Sequence, residues 1–212
     1  MLILVLLSGS LLISSCSKSP TYSIGTSDLD MVYTQYDDGI SFTDYKTYSI
    51  TDSLNIDDEG LTHADIEYLR DYYDVVFDKI NANMQERNYV RVDSTEDPEL
   101  GISVSIVTKE NYVISWGYWW DWGYYGDPYY WGYPGYGYYY PWGTYMGSYE
   151  EGALIIELMD LKNPNLQKKK LNALWAGLVG GVLSNNEGLI DDRLIDQIDQ
   201  AFEQSPYLKT NP

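Results

Sequence analysis

The sequence predicts an α+β fold: a single, mostly antiparallel sheet covered on one face by two helices, with an aromatic- and glycine-rich hairpin-like insert. Three observations predict it. Short runs rich in β-branched and aromatic residues recur and are joined directly by turn residues, which favours antiparallel neighbours. Two other segments repeat their apolar residues every three or four positions, as amphipathic helices do. Between two of the β-rich runs lies WGYWWDWGYYGDPYYWGYPGYGYYYPWG (116–143), which holds six of the chain's seven Trp and no Lys, Arg or His.

The elements follow in order. Residues 1–13 are almost wholly apolar but interrupted by Ser-Gly-Ser, too short and broken to span a bilayer. They read as the apolar region of a secretory signal peptide over 1–15, without its usual basic opening. The tetrapeptide Ile13-Ser14-Ser15-Cys16 resembles the bacterial lipobox, in which two small residues precede the acylated Cys. Cys16 is the only Cys, so no disulfide can form within one chain. The resemblance implies that Cys16 carries acyl chains, whose buried methylenes each contribute about 0.8 kcal/mol to anchoring. Ser17, rather than Asp, then favours the outer membrane. Residues 16–30 read as a lipidated tether reaching roughly 20 Å.

A single α+β domain is expected over 31–208. MVYTQYD (31–37) and YKTYSI (45–50) have strand character. ITDSLNIDDEGLT (50–62) reads as a loop, and Thr62 with Asp65 forms a weak capping box. Ile66, Leu69, Tyr73, Val76, Ile80 and Met84 then mark one helix of about six turns, ending near Asn88. YVRV (89–92) and ELGISVSIVTKENYVIS (99–115) return to strand. The insert spans 112–150. GALIIELMDL (152–161) and LNALWAGLV (171–179) are strands on either side of a polar turn. Ile190, Leu194, Ile198 and Phe202 mark a last helix, with Asp191 and Asp192 near its positive end and Pro206 closing it.

These segments carry a family resemblance. YDDGISFTDYKTYSI resembles the opening signature of the domain of unknown function 4136 family of Gram-negative lipoproteins, matched by Phe42, Tyr45, Lys46, Thr47 and Tyr48. GALIIELMD is similar to a later strand of that family, and LWAG to its Trp-x-Gly strand. Ala176 stands where the family usually has a basic residue. The resemblance implies an envelope lipoprotein and brings no catalytic residue with it.

Composition closes several functions. The net charge of −19 opposes nucleic acid, whose phosphates need clustered Lys and Arg, and opposes attraction to an anionic membrane surface. The lone His63 opens a helix, with no nucleophile elbow nearby. One His and one lipidated Cys cannot build a zinc site. Neither phosphate-cradling glycine motif occurs, and GLVGGVL reads as a bend or close packing. The acidic pairs Asp37-Asp38, Asp57-Asp58-Glu59 and Asp191-Asp192 lack the alternation of a calcium loop. A carboxylate-pair glycosidase stays open, because two such groups need meet only in space. No catalytic residue, cofactor or metal is therefore assigned.

Within the insert, Trp116, Tyr118, Trp120, Trp122 and Tyr124 take every second position, as do Tyr136, Tyr138, Tyr140 and Trp142. A period of two puts each set on one face of an extended chain. A twisted ribbon with an aromatic ladder fits this pattern, and a Gly- and Pro-rich irregular loop is the rival. Three roles compete: a cap on the domain's own sheet, a recognition surface for an envelope protein or a glycan, and insertion at the membrane interface. The expected contact surface is Trp116, Tyr118, Trp119, Trp120, Trp122, Tyr124, Trp131, Tyr138, Tyr140 and Trp142. The resulting expectation is a non-enzymatic, lipid-anchored protein of the bacterial cell envelope, held to the membrane by acyl chains. The alternative is a carbohydrate-binding or carbohydrate-processing surface lipoprotein.

Overall fold

The structure is a computed structural model and describes residues 31–56, 62–107, 112–114, 128–142, 147–149, 152–180 and 192–211. Cys16, the tether, Asp57-Asp58-Glu59 and the aromatic residues Trp116, Tyr118, Trp119, Trp120, Trp122 and Tyr124 lie outside the described residues.

The strands are β1 (Val32–Tyr36), β2 (Thr47–Ile50), β3 (Asn55–Ile56), β4 (Val90–Arg91), β5 (Leu100–Val107), β6 (Tyr112–Ile114), β7 (Gly137–Tyr139), β8 (Gly147–Tyr149), β9 (Ala153–Asp160) and β10 (Lys170–Gly180). The helices are α1 (His63–Asp71), α2 (Tyr73–Glu86) and α3 (Asp192–Glu203). The main sheet runs β1-β10-β9-β5-β2-β4, with β3 added beside β5 and β7 beside β10.

The long central pairs are antiparallel: β1 with β10, β10 with β9, and β9 with β5. On the other side, β2 pairs parallel with both β5 and β4, and β3 pairs parallel with β5. Parallel pairs thus stand beside the expected antiparallel ones, and β1 and β2, though consecutive, are not neighbours in the sheet. The chain leaves β2 through α1 and α2, and such a crossover returns it in the same direction, which makes the pair parallel.

The six-turn helix expected over 62–88 is present with an interruption at Tyr72 between α1 and α2. It ends as a left-handed cap does: Asn88 has φ 67°, and the Tyr89 N–H returns to the Met84 carbonyl at 3.1 Å. The α2 and α3 side chains Val76, Phe77, Ile80, Met84, Leu194, Ile198 and Phe202 pack with Tyr48, Ile50, Ile102, Leu158 and Trp175 of the sheet. This is the helical face of the core.

The other face is not open to water. All eight residues of β5 and all eight of β9 are buried, so both sides of these strands are covered. The described part of the insert supplies that second cover. Trp131, Tyr138 and their neighbours Tyr130, Tyr133, Tyr136, Tyr140 and Trp142 pack on Met159, Leu171 and Ala173. The antiparallel pair β6–β8 forms the neck where the insert leaves and returns. Its far half does not continue a free ribbon: β7 lies parallel along β10, Tyr138 opposite Leu171.

Candidate functional site

The residues of the family-like signature do structural work. Tyr45 donates its hydroxyl to Asp160 Oδ2 at 3.0 Å, and Tyr48 donates to Asn81 Oδ1 at 2.9 Å. The Lys46 N–H donates to Glu99 Oε2, and the Glu99 N–H donates to Thr47 Oγ1. Phe42 is buried, and its carbonyl accepts from the Tyr89 hydroxyl. Burial pushes both the Tyr45 and Tyr89 phenols well above their ordinary range, and pushes Tyr48 up to about 12. In LWAG the Trp175 ring folds back over Gly177, where a Cβ would stand 2.7 Å from the ring. The indole N–H then reaches Ser205 Oγ at 2.8 Å. That Gly, the first of GLVGGVL, is required by close packing.

The second face repeats this device with a different result. Trp131 lies over Gly101, where a Cβ would meet its ring at 2.8 Å. On the same parity of β5 follow Ser103 and Ser105, both fully or almost fully buried. Ser103 stands opposite Glu157 of β9. Glu157 is 4% exposed and accepts a 2.6 Å hydrogen bond from the Tyr140 hydroxyl of the insert. Burial pushes the Glu157 carboxyl up to about 7, against the lowering effect of the Tyr140 bond. Burial and then the adjacent Glu157 charge raise the Tyr140 phenol. The hydroxyls of Ser103 and Ser105 and the Trp131 indole N–H find no hydrogen-bond partner among the described residues. The aromatic cover therefore lies on a polar strip as well as on the apolar Met159, Leu171 and Ala173.

Beside this strip, at the β2–β4 edge, is an open cleft of about 330 Å³. Ser49, Ile50, Arg91, Val92, Asp93, Glu96 and Tyr130 line it. Ser49 lies in register with Gly101, so the cleft continues the face beneath Trp131. Asp93 and Glu96 are fixed by a tight turn. Asp93 Oδ1 accepts from the Thr95 N–H and hydroxyl, and Glu96 Oε2 accepts from the Asp93 N–H. The Thr95 backbone bond, then its hydroxyl, hold the Asp93 carboxyl below its usual range.

The predicted contact residues thus divide. Trp131 and Tyr138 are buried at 6% and 7% exposure, a correction to their expected place on a contact surface, because each packs its ring on the sheet. Tyr140 and Trp142 are half-buried at the rim of the same cover. Tyr129 and Tyr139, which were not among the predicted contact residues, are exposed at 68% and 53%. Sequence reasoning missed Glu157, Ser103, Ser105 and the cleft. A signal existed: ISVSIV places its serines on one parity, and the single Glu of LIIELM shares a face with Ile155 and Met159.

Elsewhere, His63 is exposed and lies 3.4 Å from Glu67 one helical turn on. Asp37 serves a turn, accepting from the Gly39 N–H. Among the described residues no cluster of three His, Cys, Asp or Glu could hold a metal ion, and no helix is long and apolar enough to cross a membrane.

Comparisons with known proteins agree with this architecture. The domain of unknown function DUF4136 matches residues 32–207. A DUF4136 family protein of Bacteroides thetaiotaomicron VPI-5482, known from a crystal structure, is similar over 87% of this chain and 100% of its own. It shares 26% identity with a TM-score of 0.65. A PDZ domain protein of Parabacteroides distasonis ATCC 8503 aligns with 85% of this chain and 37% of its own. Its identity to this chain is 14% and the TM-score 0.44. No curated protein matches the chain.

Proposed function

The chain belongs to the DUF4136 family, a domain of unknown function, and from that premise we propose that it is a lipid-anchored cell-envelope protein with a contact role rather than a catalytic one. Cys16 carries the acyl chains, the outer membrane is its site, and the aromatic insert meets a partner protein or a glycan. One observation carries the contact role: Tyr129 and Tyr139 are exposed on a segment whose neighbouring rings are pinned to the sheet. Exposed rings on a rigid base lose little conformational freedom when they bind, and this favours recognition.

The non-catalytic part rests on the one described carboxyl held near neutrality. Glu157 has the pKa a general acid wants. It is nevertheless buried beneath the insert, out of reach of a solvent-borne substrate. The second reading, a carbohydrate-binding lipoprotein, is favoured by the polar cleft with its aromatic wall at Tyr130.

A photoreactive residue at Tyr139 in intact cells tests the contact role, with adducts read by mass spectrometry. One dominant envelope protein, or a defined glycan fragment, is expected. A chain that incorporates labelled palmitate, loses the label on Cys16→Ala and yet gives no adduct would overturn the contact role while keeping the anchor.

A further inference from the structure

We infer that the cleft between the β4 edge and Tyr130 is a binding site for an uncharged sugar ring. This rests on the proposed contact role and names the chemistry of one ligand for it. Its volume of about 330 Å³ is at the small end of natural ligand sites, which run from about 300 to 1,000 Å³.

The lining supplies three kinds of contact. Tyr130 is half-buried and held edge-on to Trp131, with ring centroids 5.9 Å apart. It offers a fixed aromatic wall for the apolar face of a pyranose. Arg91 is an exposed cation that forms no salt bridge among the described residues, and its guanidinium can only donate. Asp93 and Glu96 can only accept when ionised. Their turn commits Asp93 Oδ1 and Glu96 Oε2, leaving Asp93 Oδ2 and Glu96 Oε1 without a bond to the described residues. The same turn fixes both carboxylates before a ligand arrives, so less ordering remains to oppose binding.

A ligand that satisfies this lining must both donate and accept around a ring with one apolar face. Sugar hydroxyls do both at nearly every carbon. A sugar acid would place its carboxylate beside Asp93 and Glu96 in a chain of net charge −19. A basic peptide would pair with Asp93 and Glu96, but it meets Arg91 and brings no ring with an apolar face for Tyr130. Neither charged class satisfies the whole lining, and each carries a repulsive contact that works against it.

The test uses the full-length chain in detergent, titrated with chitotriose, maltotriose, galacturonic acid trimer and trilysine. Saturable binding of a neutral trimer is expected, with the two charged probes binding at least tenfold more weakly. Tyr130→Ala, Arg91→Ala and Glu96→Gln are each expected to raise the Kd of the neutral trimer about tenfold or more, and Tyr130→Phe less than threefold. Glu96 and Arg91 are exposed, so these two variants keep the test valid if Tyr130→Ala unfolds. No binding of either neutral trimer, or equal binding by the folded variants, overturns the site. If the Tyr139 crosslink still captures one envelope protein in that case, the contact role stands and only the sugar site falls. Tighter binding of the acid trimer or of trilysine overturns the uncharged class.

Discussion

The two faces of the sheet use the same device to different ends. On the helical face Trp175 sits on Gly177 and gives its indole proton to Ser205. Tyr48 and Tyr89 likewise give their hydroxyls to Asn81 and Phe42. The atoms left without partners there, Gln197 Nε2 and Thr210 Oγ1, lie outside the strands. On the aromatic face Trp131 sits on Gly101, but its indole proton and the Ser103 and Ser105 hydroxyls have no partner among the described residues. One hydrogen bond from Tyr140 serves the buried Glu157. Among the described residues, the strand and indole donors of the helical face are paired, whereas the aromatic face has those three buried polar atoms without a described partner, a lack that costs about 1–3 kcal/mol for each group left unmet. A cover laid on such a strip is the more easily displaced of the two.

The largest test of this contrast is removal of the two indoles. Trp175→Ala is expected to destabilise by about 4–5 kcal/mol, and Trp131→Ala by about 3 kcal/mol, the lower end for such cavities. Urea unfolding of both variants measures the difference, and equal losses would mean that the aromatic cover is core in the same sense as the helices.

Next in size is pH. Glu157 titrates near 4.5 in the unfolded chain and near 7 in the fold. Between those values the folded state keeps a proton that the unfolded chain releases. The stabilisation is complete below 4.5 and is lost as pH rises through 7, a fall of about 3 kcal/mol. Melting is therefore expected at a lower temperature near pH 8 than near pH 5, and Glu157→Gln should flatten the difference. The raised stability of Asp93 and Glu99 carboxylates does not blur this window, because their lowered values act below it. A wild-type chain with no such slope would show that the strip beneath the cover is hydrated.

The smallest effect is the most diagnostic. Ser103→Ala removes a hydroxyl that has no partner among the described residues, so stability should hold or rise by up to about 1 kcal/mol. A loss above that in thermal melts would reveal a partner for the hydroxyl that belongs to the aromatic face.

Much of this was legible in the chain. The helix from Ile66 to Met84, the strands at 99–107, 152–161 and 171–179 and the last helix all follow from apolar spacing. Parallel pairing of β2 with β5 was not, because strand composition does not record partner direction; only the intervening crossover does. The interruption at Tyr72 leaves the apolar period unbroken and so left no mark. The period-two aromatics at 136–142 were visible, but the same pattern serves a ring turned to water and a ring turned to a sheet. Glu157 hid in a run read by its apolar majority, although the one-residue alternation of a strand assigns it to the face of Met159.

The β6–β8 neck has a consequence for how this molecule can change. It joins the two ends of the insert side by side, so chain added between the neck and Trp131 starts from a base already closed, while β7 stays in register with β10. Doubling a loop already closed at its base adds only about 0.6 kcal/mol of entropy. Length can therefore be added between the neck and Trp131 at little entropic cost, whereas Trp131, Tyr138 and β7 have to keep their places on the sheet.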